Sequence, residues 1–131
     1  MSKLRIINFG DAKITNIDNF AFRYCELLSS INISETVEYI GRYAFYGCKS
    51  LVAVTVSTVP NFVETIGDFA FDGCKRLRTV ISHIPAESLP TLNNNVFDNI
   101  APDCVLYVPK GAKAVYKNTH GWSIFENIVE M

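Results

Sequence analysis

Four cysteines, two histidines and a recurrent set of aromatic residues are the parts of this 131-residue sequence that could do chemistry. Cysteine and histidine hold metals when they cluster, and a thiol beside a histidine and a third orienting group makes a nucleophile. Here Cys25, Cys48 and Cys74 stand 23 and 26 residues apart, with no Cys-x2-Cys pair. His83 falls in a predicted loop and His120 in the tail, and neither carries a catalytic motif. Cys104 stands outside the series, just before a predicted strand. Free cysteine behaves as a small apolar side chain, so all four are expected in the core. Glycines occur singly, without a phosphate-binding Gly-x-Gly-x2-Gly or Walker pattern. Asn32-Ile33-Ser34 spells a glycosylation sequon, but it falls at a strand end, where chance accounts for it. Tyr43, Phe45, Tyr46, Phe69 and Phe71 could form a stacking platform for sugars or bases. Their periodic placement assigns Phe45 and Phe71 to the core and puts Tyr46 with Asp72, and Arg42 with Asp68, on a solvated face. No catalytic residue, metal site or cofactor is read from the sequence, and an enzyme is not expected.

The elements that must position these residues are written as a repeat. The Ala-Phe pairs Ala21-Phe22, Ala44-Phe45 and Ala70-Phe71 are 23 and 26 residues apart, and a further step of 26 reaches Val96-Phe97. Ile17, Ile40, Ile66 and Leu92 precede the pairs at a constant offset, as do Ile14, Val37, Val63 and Leu89. After them come Cys25, Cys48 and Cys74, then Leu28, Leu51 and Leu77, then Ile31/Ile33, Val54/Val56 and Val80/Ser82. Leu4, Ile7 and Phe9 fit the strand slots at one end, and Leu106 and Val108 at the other. Aliphatic residues recurring in fixed slots at a period in the twenties mark a solenoid, in which no unit buries its apolar face alone. Alternation in Leu51 to Val56 predicts a principal strand, Val63 to Ile66 a second short extended piece, and Asp68 to Cys74 a single helical turn. Gly47 and Gly73 suit a chain reversal at positive φ. The stacked cysteines would lie about 5 Å apart with parallel side-chain vectors, a poor geometry for disulfides.

Composition bounds the function classes. The chain is 49% hydrophobic and 19% charged, with a mean hydropathy of +0.17, which excludes disorder. A formal charge of -1 supplies no field for nucleic acid or an anionic membrane. No apolar run approaches the roughly 18 residues of a membrane span. Met1 to Phe9 alternates and is interrupted by Lys3, Arg5 and Asn8, so it lacks the apolar stretch of a signal peptide. Either the protein stays inside the cell or an export signal lies outside this sequence.

Ile40 to Val56 and Ile66 to Val80 closely resemble the BspA-like leucine-rich repeat, whose unit reads Ile-Gly-x2-Ala-Phe-x-Gly-Cys-x2-Leu-x2-Val-x-Ile. The first unit departs from it at Asp18 and Tyr24, and the fourth has Ile100 in place of the cysteine. The resemblance implies an α/β leucine-rich-repeat solenoid, a right-handed superhelix of four to five coils with parallel strands and short helical turns. The units run over roughly 4–27, 28–50, 51–76 and 77–105 of one domain, with a C-terminal cap over 106–131 in which Trp122, Phe125 and Ile128 plug the last coil. It also implies a non-enzymatic binding or adhesion module at a microbial cell surface, or secreted, with a protein or glycan partner. The alternative is the capped structural end of a longer array.

Recognition is expected where the repeat varies. The outward strand slots form three columns: Arg5, Ser29, Val52, Arg78; Ile6, Ser30, Ala53, Thr79, Val105; and Asn8, Asn32, Thr55, Ile81, Tyr107. The third grows apolar toward the C-terminus, and Val52, Thr55, Arg78, Thr79, Ile81 and Tyr107 are the candidate partner-binding residues. The extra residues of the longer units fall in Ser57 to Phe62 and Ser82 to Ser88, which makes Pro60, Asn61 and His83 loop candidates. Leu4 to Phe9 is expected as an edge strand available for self-association.

Overall fold

The computed structural model describes Arg5, Ile7 and residues 13–57 and 65–131. Leu4, Phe9, Val63, Pro60 and Asn61, and with them the proposed edge strand and the first loop, lie outside the described residues.

The chain winds through β1 (Asn16–Ile17), β2 (Ser30–Ile33), β3 (Tyr39–Ile40), β4 (Ala53–Val56), β5 (Thr65–Ile66), β6 (Thr79–Ser82), β7 (Val105–Val108), the helix α1 (Lys113–Lys117) and β8 (Asn127–Glu130). Among the described residues one face is a five-stranded sheet in the order β2-β4-β6-β7-β8, and a second is a three-stranded sheet in the order β1-β3-β5. Every pairing among the described residues is parallel, as expected when successive units repeat the same path. Turn segments over 18–25, 41–48, 67–74 and 93–100 form the third face.

The identical slots stack along the axis. Phe22, Phe45, Phe71 and Phe97 form one column with ring centroids 5.4, 5.0 and 5.3 Å apart, close to the spacing of adjacent strands. Leu28, Leu51 and Leu77 are fully buried beside it. Cys25, Cys48, Cys74 and Cys104 are free thiols in the core. Cys48 and Cys74 donate to the carbonyls of Phe22 and Phe45 in the preceding coil, each at 3.2 Å. The Cys48 thiol beside it and burial push Cys74 well above the usual thiol range.

The expected helical turn takes another form. In 18–25, Ala21, Arg23 and Cys25 donate to Asp18, Phe20 and Phe22, giving three overlapping β-turns. Phe20 and Tyr24 hold φ of 62° and 59°. These left-handed residues break the helical sense and turn the N–H groups of Phe20, Phe22 and Tyr24 toward the next coil, where Arg42, Ala44 and Tyr46 accept at 2.9, 2.8 and 2.8 Å. The same two slots are left-handed in every coil, at Tyr43 and Gly47, Phe69 and Gly73, and Asn95 and Asn99. Glycine at 41 and 67 has a different cause: a Cβ at Gly41 would stand 2.3 Å from the Asn19 nitrogen, and at Gly67 2.5 Å from that of Arg42.

One outward assignment needs correction. Asp72, expected on a solvated face, is only 8% exposed and accepts from the Asn99 amide at 2.8 Å. Phe20, Tyr43 and Phe69 form a second stacked column, at 5.3 and 4.9 Å, on the outer side of the turn face.

The cap plugs the last coil as expected, with Trp122, Phe125 and Ile128 buried. The Trp122 indole donates to the Pro90 carbonyl at 2.9 Å. Tyr116 donates to the Ile84 carbonyl at 2.6 Å and meets the Ser82 hydroxyl, also at 2.6 Å. Ser82 occupies a slot filled by Ile33 and Val56 in earlier coils, and Tyr116 is why a hydroxyl is tolerated there. The cap also supplies β8 as a further parallel strand.

Candidate recognition surface

The parallel register aligns the outward residues of the large sheet into rows. Ser30, Ala53, Thr79, Val105 and Asn127 form one, and Asn32, Thr55, Ile81, Tyr107 and Val129 the next. Strand spacing puts neighbours in a row about 4.8 Å apart. Alternation makes the division strict: in β4, β6 and β7 one residue is buried and the next half-exposed. The first column is tied by main-chain bonds, with Ser29 donating to Arg5, Val52 to Ser29 and Arg78 to Val52. Ile7 packs against the core one slot further on, as its strand position predicts.

Each described candidate lies on this surface or at its rim. Val52 is 42% exposed, and Thr55, Thr79, Ile81 and Tyr107 are half-buried between neighbouring rows. The Arg78 guanidinium meets the Asp103 carboxylate at 2.7 Å, so its charge is balanced at the surface. His83 is exposed just beyond β6, its N–H donating to the Val56 carbonyl at 2.9 Å. Rows of this kind offer hydroxyl, amide and apolar contacts.

Asp103, Asn127 and Val129 belong to the same surface and were not foreseen. Val129 is 44% exposed and ends the row that becomes apolar from Asn32 onward. The alternation of Asn127-Ile128-Val129-Glu130, with Ile128 inside, was the available signal.

Among the described residues no hydrogen bond or ion pair joins the side chain of His83 or His120 to Cys104. Burial, reinforced by Asp103, pushes the Cys104 thiol up to about 12, which withholds the thiolate. His120, Ser123 and Asp98 line one opening of about 220 Å3. No hydrogen bond or ion pair joins them among the described residues. No group of three or more metal-ligating side chains occurs among the described residues, and no described helix is long and apolar enough to cross a membrane.

Comparison with known families matches residues 54–121, just over half of the chain, to the BspA type leucine rich repeat region (6 copies). No curated protein matches the chain.

Proposed function

Because the chain belongs to the BspA type leucine-rich repeat family, we propose that it is a non-enzymatic recognition module whose large sheet engages a protein or glycan partner. The observation that carries this reading is the row Asn32, Thr55, Ile81, Tyr107, Val129, which is aligned by the register, varies from coil to coil and takes no part in the core. Slots that stack in the core stay apolar from unit to unit, Ser82 excepted, whereas this row passes from amide to hydroxyl to apolar groups. Arg78 and Val52 lie beyond the neighbouring row of Ala53 and Thr79, and His83 stands at the downstream rim.

Size sets what the surface can do. Five strands about 4.8 Å apart and four to five residues long project roughly 300 Å2, against about 800 Å2 per side in a standard protein interface. The loop that the sequence predicts around Pro60 and Asn61 is therefore included in the proposed footprint. A glycan array and a surface-protein pull-down would identify the ligand class. Arg78→Glu combined with Tyr107→Ala should then abolish capture while the unfolding midpoint stays nearly unchanged. Normal capture by that double variant would move the site off the sheet.

A second reading, the closed structural end of a repeat array, is favoured by the dedicated cap. Trp122, Tyr116 and Phe125 are buried where the cap covers the last coil's core. In a microbial surface protein such an end would protect the array from edge-to-edge association.

A further inference from the structure

The cap rebuilds two faces of a fifth coil and cuts across the third. β8 continues the large sheet, and the His120 carbonyl accepts from the Leu92 N–H at 3.0 Å. Between them the chain takes a short 3-10 turn at Trp122–Ile124, where each full coil has an entire turn segment.

The missing segment leaves a row of donors open. In coils one to three, alternate N–H groups of the turn segment bond to the coil above: Phe20, Phe22 and Tyr24; Tyr43, Phe45 and Gly47; Phe69, Phe71 and Gly73. Their equivalents in coil four are Asn95, Phe97 and Asn99. None of these three N–H groups has an acceptor among the described residues. Asn95 and Asn99 nevertheless keep the left-handed φ of their predecessors, at 56° and 55°. Openings of about 290 and 220 Å3 run beside the row, and Phe97 and Ile124 line both. Glu126 borders the larger and Asp98 the smaller, and neither carboxylate is in an ion pair among the described residues.

We propose that this corner binds a peptide segment carrying basic side chains, whose carbonyls from alternate residues accept from Asn95, Phe97 and Asn99. The mode continues an interface that the molecule already builds three times, with N···O distances of 2.8 to 3.0 Å. Asp98 and Glu126 select a cationic ligand and disfavour an anion on the exposed amides. A second copy cannot place its first coil here in the repeat register, because β8 already holds the sheet position that the copy's strand needs.

The probe is a synthetic peptide of residues 41–49, blocked at both ends, the segment that covers coil one in the intact chain and carries Arg42 and Lys49. In the free protein, the amides of Asn95, Phe97 and Asn99 should exchange at least about a hundredfold faster than those of Phe45 and Phe71. Adding the peptide should slow them about tenfold or more. Asp98→Lys with Glu126→Lys should weaken peptide affinity about tenfold, and an Arg42→Glu, Lys49→Glu peptide should lose it similarly. Three results would overturn the proposal: amides already as protected as that of Phe71, no change at millimolar peptide, or binding indifferent to both charge reversals. Protection that rises with protein concentration alone, together with dimers in sedimentation, would reassign the corner to self-association.

Discussion

Coils two and three are held by repetition, whereas coil four and the cap are held by side chains used once. In the middle of the array each Phe lies between two others, and each turn-segment donor finds the same acceptor one coil on. Glycine at 41 and 67 lets the backbones touch. At the end, Asn93 stands in that glycine slot, and Phe97 is covered by Trp122 and Phe125 at 5.9 and 5.0 Å in tilted and edge-on arrangements. The hydrogen bonds of Ser82, Tyr116 and the Trp122 indole are not repeated in the other coils among the described residues. The interior therefore distributes its stability over equivalent contacts, and the end concentrates it.

The largest effect that could break this contrast is Trp122→Ala. It removes a fully buried indole and strands the Phe97 ring, so a cost of about 3 to 5 kcal/mol is expected in urea unfolding, with increased dye binding to the opened coil. A loss below about 1 kcal/mol would mean that the cap is dispensable. Next is Gly67→Ala against Gly111→Ala. The first drives a Cβ to 2.5 Å from backbone, for about 3 kcal/mol. The second meets nothing within 4 Å and carries only the strain of φ +82°, about 1 kcal/mol. Equal costs would show that close packing between coils is not what the repeat glycines protect.

Slot periodicity made the core, the parallel sheets and the outward columns legible from sequence, because each is a direct consequence of stacking. The turn face was not. Positive φ at Phe20, Tyr43 and Phe69 runs against the ordinary preference of aromatic residues. It is imposed by bonds to the neighbouring coil, which no single unit encodes. The burial of Asp72 depends in the same way on Asn99, 27 residues on. Val129 was missed on the candidate surface because a four-residue tail segment becomes a strand only by pairing with β7. Arg78 and Tyr107 were legible as outward residues only, since their slots vary while the inward slots of Leu77 and Leu106 beside them stay apolar.

A smaller effect separates the two regions by pH. Burial pushes the Tyr116 hydroxyl up to about 12, against the lowering influence of Ser82. The folded state thus keeps its proton above the unfolded value near 10. Its contribution is complete below about pH 10 and is lost as pH rises toward 12, with a total of about 3 kcal/mol. Tyr116→Phe should flatten that alkaline slope and cost about 1 to 2 kcal/mol at neutral pH by removing the bond to Ile84. A slope unchanged in the variant would assign the alkaline loss to other groups.

The smallest expected effect tests whether the outer face can vary without disturbing either region. The Arg78 and Asp103 side chains are 58% and 66% exposed, so their 2.7 Å contact is formed in water and opposed by the entropy of two free side chains. Arg78→Ala should therefore shift stability by less than about 0.5 kcal/mol, and 0.5 M salt should erase what remains. The main-chain bond from the Arg78 N–H to Val52 survives the substitution, so the column stays in register. A loss above about 1 kcal/mol would show that Arg78 stabilises the array itself, and its variability would then no longer point to a partner.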